Sequence, residues 1–194
     1  MSKSRARAKK TIVKPQVLRI IGGRHRGRKL PVADVDGLRP TGDRIRETLF
    51  NWLAPWLPGS RCLDLFAGTG ALGLESLSRG ASLVELWEQH PAAAKAIAES
   101  LQLLQAPEAH LRRGDTLVAL AQAPKEPFDV VFLDPPFAAD LWQSCIDALA
   151  PWLASEAWVY IESPLEARYQ VPVNWQVHRQ KQAGRVCYAL FRVL

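Results

Sequence analysis

The chain predicts a doubly wound α/β fold: a mostly parallel seven-stranded sheet with an antiparallel C-terminal edge and a basic N-terminal β-hairpin. Three observations carry this. From Arg61 onward, short apolar β-type runs alternate with helical periodicity, the rhythm of parallel strands joined by crossover helices. The first run exits into Asp64-Leu-Phe-Ala-Gly68-Thr-Gly70-Ala-Leu-Gly73, a glycine turn of the kind that joins a strand to a helix. The last two runs flank Gly184-Arg185 with no helix between them, which marks a hairpin.

The elements follow in order. Val17 to Ile21 and Leu30 to Val32 are short apolar runs, and between them Arg24, Arg26, Arg28 and Lys29 mix with Gly22, Gly23 and Gly27. That pattern suggests a hairpin that presents guanidinium groups to phosphates. After Arg39-Pro-Thr41 a helix buries Ile45, Leu49, Phe50 and Leu53, with Trp52 and Trp56 as further candidates, and ends at Pro55 and Pro58-Gly59. Strands are expected at 62–66, 83–87, 110–112, 128–133, 157–162, 175–181 and 186–193. Helices are expected at 70–78, 91–104, 116–123 and from about Ala139 to Leu153. The domain reading is a basic flexible tail over 1–16, a hairpin extension over 17–40 and a catalytic domain over 41–194.

A chain of 194 residues holds one substantial core and no second full domain. Its uncharged stretches fall short of a bilayer span, so no membrane association is expected. The first ten residues are basic without an apolar run behind them, unlike a secretory signal, and a cytoplasmic monomer is the simplest expectation. Cys62, Cys145 and Cys187 are widely spaced and read as core or near-core thiols of a reducing compartment. The four histidines lack metal-ligand spacing, so no metal is expected. Charge is uneven: residues 1–46 carry 14 Lys/Arg against 3 Asp/Glu, and residues 47–194 carry 11 against 16. A basic front on an acidic body suits a protein that grips a polyanion with one segment. For residues 1–14 a solvated tail without a partner is the competing reading.

In open parallel sheets ligands bind at the C-terminal strand ends, where strand order reverses. Here that rim holds the glycine turn, and Glu88 closes the second strand 18 residues after Gly70. These two features alone fit a nicotinamide dinucleotide as well as a nucleoside cofactor. Asp64, just before the turn, would repel a pyrophosphate and favour a cation. Gly114-Asp115 supplies an acceptor for an adenine amino group, although Asp115 also suits a helix N-cap. The fourth strand delivers Asp134-Pro135-Pro136-Phe137 to the same rim. Consecutive prolines stop a strand and hold the preceding carbonyls rigidly. The Asp134 carboxylate and the Pro135 carbonyl can accept from an exocyclic amino group while Phe137 stacks on the base. S-adenosylmethionine, with a sulfonium, an ammonium and no phosphate, matches this rim.

These motifs resemble the class I S-adenosylmethionine-dependent methyltransferases, which are Rossmann-like. Together with Arg19-Ile-Ile-Gly-Gly23, Arg26 to Pro31, Arg39-Pro-Thr41, Arg44, Arg46 to Trp52 and Lys181 to Arg185, they closely resemble the bacterial 16S ribosomal RNA guanine-N2 methyltransferases of small-subunit type D. The resemblance runs from about residue 17 to the C-terminus. It implies methylation of N2 of guanine 966 in 16S rRNA, on an assembling small ribosomal subunit. It also implies cofactor contacts from Asp64, Phe66, Gly68, Gly70, Glu88, Asp115 and Thr116, catalysis by Asp134, Pro135 and Phe137, and RNA contacts from Arg24, Arg26, Arg28, Lys29, Lys181 and Arg185. Arg39 and Thr41 are placed near the methionine end of the cofactor, with helix entry as their alternative role. Gln89-His90 departs from the residue-plus-Asp that often follows Glu88 in such enzymes. A DNA adenine-N6 methyltransferase and a non-catalytic RNA-binding assembly factor remain the rival readings.

Overall fold

The computed structural model describes residues 17–35, 38 and 42–194. Arg39 and Thr41, and the tail at 1–16, lie outside the described residues. A two-stranded antiparallel ribbon, β1 (Val17–Arg19) and β2 (Lys29–Pro31), precedes the helix α1 (Asp43–Leu53). The main sheet then alternates β3 (Arg61–Asp64), α2 (Ala71–Ser78), β4 (Leu83–Glu88), α3 (Pro91–Leu104), β5 (Ala109–Arg113), α4 (Thr116–Leu120), β6 (Phe128–Leu133), α5 (Trp142–Ala148) and β7 (Leu153–Pro164). A hairpin of β8 (Trp175–Ala183) and β9 (Val186–Val193) completes it.

Strand order is β5-β4-β3-β6-β7-β9-β8. β3 to β7 pair in parallel, and β9 runs antiparallel to both β7 and β8. The chain winds outward from β3 to β5, then returns to place β6 on the other side of β3. The order therefore reverses between β3 and β6, and the crevice above their C-terminal ends is where such sheets bind ligands.

Strand alternation sorts the core into two layers. Cys62, Val84, Val130, Phe132, Trp158, Tyr160, Tyr188 and Leu190 face one side with the hairpin residues Leu18, Ile20 and Leu30 and with α1 and α2. Leu63, Val131, Leu133, Val159, Ile161 and Phe191 face the other side, covered by α4 and α5. Being sheathed on both faces explains why β6 is apolar apart from Asp129, whose carboxylate accepts from the Arg61 amide. The N-terminal hairpin thus shares the main core and has no separate one.

Local rules fix several boundaries. α3 starts where His90 accepts from the Ala92 amide at 3.2 Å with Pro91 in the first turn, and stops at Gln105 in the left-handed region. The long helix expected from Ala139 to Leu153 is instead a 3-10 turn (Phe137–Ala139), α5 and a second 3-10 turn (Ala150–Trp152). Asp140, at φ 48°, breaks it at the front, and Pro151, which cannot donate an N–H, unwinds its end. Leu153 then opens β7 rather than closing a helix. The helix expected at 116–123 ends three residues earlier, at Leu120.

The candidate active-site rim

The glycine turn is held from below and from the side. Its two left-handed positions, Gly68 (φ 55°) and Gly70 (φ 79°), reverse the chain between β3 and α2. Asp64 is only 2% exposed, and its carboxylate accepts from the Gly73 amide at 3.0 Å and from the Phe66 amide. Burial pushes its pKa up to about 7, against the pull of those two amides, with the Glu88 charge adding to the rise. Asp64 is therefore a brace inside the turn, with little surface to offer a ligand directly.

Glu88, at the end of β4, spans the same turn. One carboxylate oxygen accepts from the Gly68 amide at 2.7 Å and the other from the His90 amide at 2.6 Å. The side chain is half-buried, so the carboxylate's remaining lone pairs stay open to hydroxyl donors at the rim. Asp115 caps α4 by accepting from the Val118 amide at 2.9 Å. Thr116 is buried and donates to the Leu65 carbonyl at 2.7 Å, tying the end of β3 to the start of α4. Phe66 is half-buried against the α4–α5 layer. The structure thus brings Asp64, Phe66, Gly68, Gly70, Glu88, Asp115 and Thr116 to one rim.

On the other side of the switch point β6 ends at Leu133. Asp134 is half-buried, Pro135 is buried, and Pro136 and Phe137 are exposed. Phe137 is 42% exposed and leans on Trp142 with ring centroids 5.9 Å apart. Trp142, at the start of α5, donates its indole N–H to the Glu162 carbonyl at 2.8 Å. The turn is thereby propped by α5 and β7. Asp134 continues the Val130, Phe132 side of β6, so it and Asp64 share one face of adjacent strands.

The residues expected to contact RNA separate into two groups. Lys181 lies on β8 opposite Tyr188, which in turn pairs with Glu162 on β7, at the same end of the sheet as Asp134. Its ammonium sits 5.9 Å from the Trp52 ring, and Trp52 stacks on Tyr188 at 5.6 Å. Arg185, in the β8–β9 turn, pairs with Glu166 at 2.8 Å and is largely exposed. Arg24 instead is hydrogen-bonded and ion-paired to Glu108, the residue before β5, at the opposite end of the sheet. Arg26 and Arg28 share that turn, and Lys29 opens β2 beside it. The side chains of Arg26, Arg28 and Lys29 are exposed to solvent.

Sequence reasoning missed Glu75. It is fully buried in α2 and accepts from the Ile21 and Gly22 amides at 2.8 Å each and from Arg79 Nε at 2.7 Å. Arg46, also fully buried, lies 3.7 Å from Glu75 and donates to the Arg19 carbonyl at 3.0 Å and to Asp43 at 2.6 Å. This cluster fastens the N-terminal hairpin to α1 and α2. The available signal was a lone charged residue in a helix of apolar and small residues, Ala-Leu-Gly-Leu-Glu-Ser-Leu-Ser. Gly23 completes the joint: at φ 73° it passes so close to α2 that a Cβ would meet the Ser78 carbonyl at 1.8 Å.

The chain is similar to known proteins over most of its length. A family model described as Conserved hypothetical protein 95 matches residues 18–192. The chain is 49% identical over 178 residues to ribosomal RNA small subunit methyltransferase D of Escherichia coli, covering 90% of this chain and 89% of that protein. It is 44% identical over 180 residues to the protein of the same name from Haemophilus influenzae, covering 90% and 93%. The solved structure of the Escherichia coli protein yhhF superposes with a TM-score of 0.85 at 48% identity, over 92% of this chain and 98% of that one.

Proposed function

Because the chain belongs to the ribosomal RNA small subunit methyltransferase D family, we propose that it transfers a methyl group from S-adenosylmethionine to the exocyclic N2 of a guanine in 16S rRNA. The observation that carries this reading is the placement of Asp134-Pro135-Pro136-Phe137 across the switch point from the glycine turn. Guanine 966 is the target that the sequence resemblance suggests. The reaction would take place in the cytoplasm, on the small subunit or its assembly intermediate, with the protein acting as a monomer.

The rim suits this cofactor chemically. Glu88 and Asp115 have backbone amides as their described hydrogen-bond donors, so the rim offers acceptors to hydroxyl and amino groups. Such a rim disfavours phosphates and matches a nucleoside that carries a cation. Glu88 would take the ribose hydroxyls, Asp115 the adenine amino group, and the turn braced by Asp64 would face the amino-acid end. When bound, the cofactor supplies a methyl group already activated by the sulfonium charge.

What remains for the protein is alignment. The guanine N2 lone pair is delocalised into the ring. Asp134 and the Pro135 carbonyl accept from N2–H and turn that lone pair toward the donor side, while exposed Phe137 stacks on the base. The methylated nitrogen is acidic and loses its proton to Asp134 or to water, without a histidine base. The base must be unpaired to reach the rim, which favours a loop in a structured particle over an intact duplex.

Labelled methyl transfer to unmodified small subunits, naked 16S rRNA and DNA in parallel, followed by nucleoside analysis, tests the reading. N2-methylguanosine in the rRNA is expected; label in DNA adenine would replace it with the rival substrate. Asp134→Ala is expected to remove most turnover, about 10²-fold or more, with cofactor affinity by calorimetry little changed. Undiminished transfer by that variant would remove Asp134 from the mechanism.

A further inference from the structure

The methyl-transfer geometry leaves one buried ionisable pair at this rim without a role. Glu162 lies on β7 one residue beyond Ile161, which is in register with Leu133; Asp134 is one residue beyond Leu133. The two carboxylates therefore stand side by side, Asp134 just past the end of β6 and Glu162 two residues before the end of β7, on the same face as Phe132 and Tyr160. Glu162 is 7% exposed. One of its oxygens accepts from the Tyr160 hydroxyl at 2.7 Å, and its backbone carbonyl is held by the Trp142 indole. Among the described residues no second donor reaches the carboxylate.

Burial raises the Glu162 carboxyl above its usual range, while the Tyr160 hydrogen bond lowers it. The Tyr160 hydroxyl is held protonated first by burial, then by the charges of both Glu162 and Asp134. Tyr160 is thus a fixed donor lying close to both carboxylates. Beyond Glu162 the row continues with its strand partner Tyr188, under Trp52 and Lys181. A buried carboxylate with one described donor, half-walled by aromatics and set beside the proposed methyl-accepting position, is placed to meet the edge of a planar ring that enters the rim.

We propose that Glu162, positioned by Tyr160, is the specificity-determining residue for the base: with Asp134 it presents two acceptors side by side, matching the adjacent N1–H and N2–H donors of guanine. This rests on the guanine-N2 reading above. Adenine presents a donor and an acceptor on the corresponding edge, and its N1 lone pair would face the Glu162 carboxylate unpaired. A site built to accept from a ring N–H rejects analogues that lack it, because its own buried acceptor is then left without a partner. Tyr160 acts through Glu162 as a positioning residue, fixing which lone pairs face the base.

The test compares small subunits carrying guanine at the methylated position with subunits carrying 2-aminopurine there. 2-Aminopurine keeps the N2 amino group but has an acceptor at N1. The wild-type protein is expected to favour guanine by roughly 10²-fold in kcat/KM. Glu162→Gln, which can turn an amide N–H toward N1, is expected to lose most guanine transfer and to gain transfer to 2-aminopurine. That gain cannot come from a misfolded protein. Tyr160→Phe is expected to lower guanine transfer about tenfold, mainly through KM, without the gain on 2-aminopurine. Equal loss on both bases for Glu162→Gln, or a wild-type protein indifferent to the exchange, would overturn the proposal while leaving the N2 reaction standing. A wild-type product other than N2-methylguanosine would overturn both.

Discussion

The two antiparallel hairpins, β1–β2 and β8–β9, both carry arginine and lysine, yet they stand at opposite ends of the sheet. The turn of the C-terminal hairpin lies level with the end of β7, where Pro164 pairs with Val186, so Lys181 and Arg185 flank the rim that holds Asp134. The turn of the N-terminal hairpin is pinned to the far end of α2, where the Arg24 amide donates to the Ser78 carbonyl at 2.8 Å, and Arg24 itself is paired to Glu108. Similar composition therefore serves two different positions. A polyanion bound by both must run the height of the sheet, whereas one bound by the C-terminal hairpin alone touches only the rim.

The largest test of this contrast is Glu75→Ala. Removing it leaves the buried Arg46 guanidinium with Asp43 as its one carboxylate among the described residues and frees the Ile21 and Gly22 amides, and a loss of about 3–5 kcal/mol in urea unfolding is expected. Hydrogen exchange should then show β1–β2 opening ahead of the main sheet. If the hairpin stays protected, the shared apolar core through Leu18, Ile20 and Leu30 holds it without the ionic cluster.

The glycine turn between the two regions has its own signature in pH. Asp64 has a folded pKa of about 7 against an ordinary value of 3.8. The folded protein therefore holds this proton where the unfolded chain has released it. The resulting stability is full below about pH 4 and falls as pH rises toward 7, with a slope of up to about 1.4 kcal/mol per pH unit. Urea unfolding of Asp64→Asn across that window should show a flatter profile than the wild type. An unchanged profile would mean that the carboxylate is already ionised in the folded state.

Charge removal at each hairpin compares them directly. Deleting a cation that neutralises one phosphate flattens the log–log salt dependence of RNA binding by roughly one unit. Alanine at Lys181 and Arg185 should both flatten it and lower kcat/KM, because these residues stand at the end of the sheet proposed to hold the reacting base. Alanine at Arg24, Arg26, Arg28 and Lys29 should flatten the slope and leave kcat nearly intact. An unchanged slope in that quadruple variant would remove the N-terminal hairpin from the RNA footprint. The smallest effect belongs to Glu108→Ala, which frees Arg24: stability should change by less than about 1 kcal/mol, as for other partly exposed pairs, while the salt slope steepens.

Much of the fold was legible in one dimension. Strand β6 and helix α3 stand where periodicity put them, because apolar runs and Pro91 act over a few residues. The glycine turn, Glu88 and the Asp134 turn were visible for the same reason, as short motifs at strand ends. Helix α5 was not, since its limits depend on Asp140 adopting a left-handed conformation and on Trp152 burying under Phe128 and Trp87.

What the sequence determined by itself was therefore chemistry and order: which strands exist, which end bears carboxylates and glycines, and which segments are basic. Tertiary structure alone decided which of these groups meet. Glu75 reaches Ile21 across 54 positions, Thr116 reaches Leu65 across 51, and Glu162 stands beside Asp134 because β6 and β7 pair in register. Local preferences act between neighbours in the chain, but burial and hydrogen bonding act between neighbours in space. Whether a carboxylate becomes a brace inside a turn, like Asp64, or an open acceptor at the rim is settled by what packs against it.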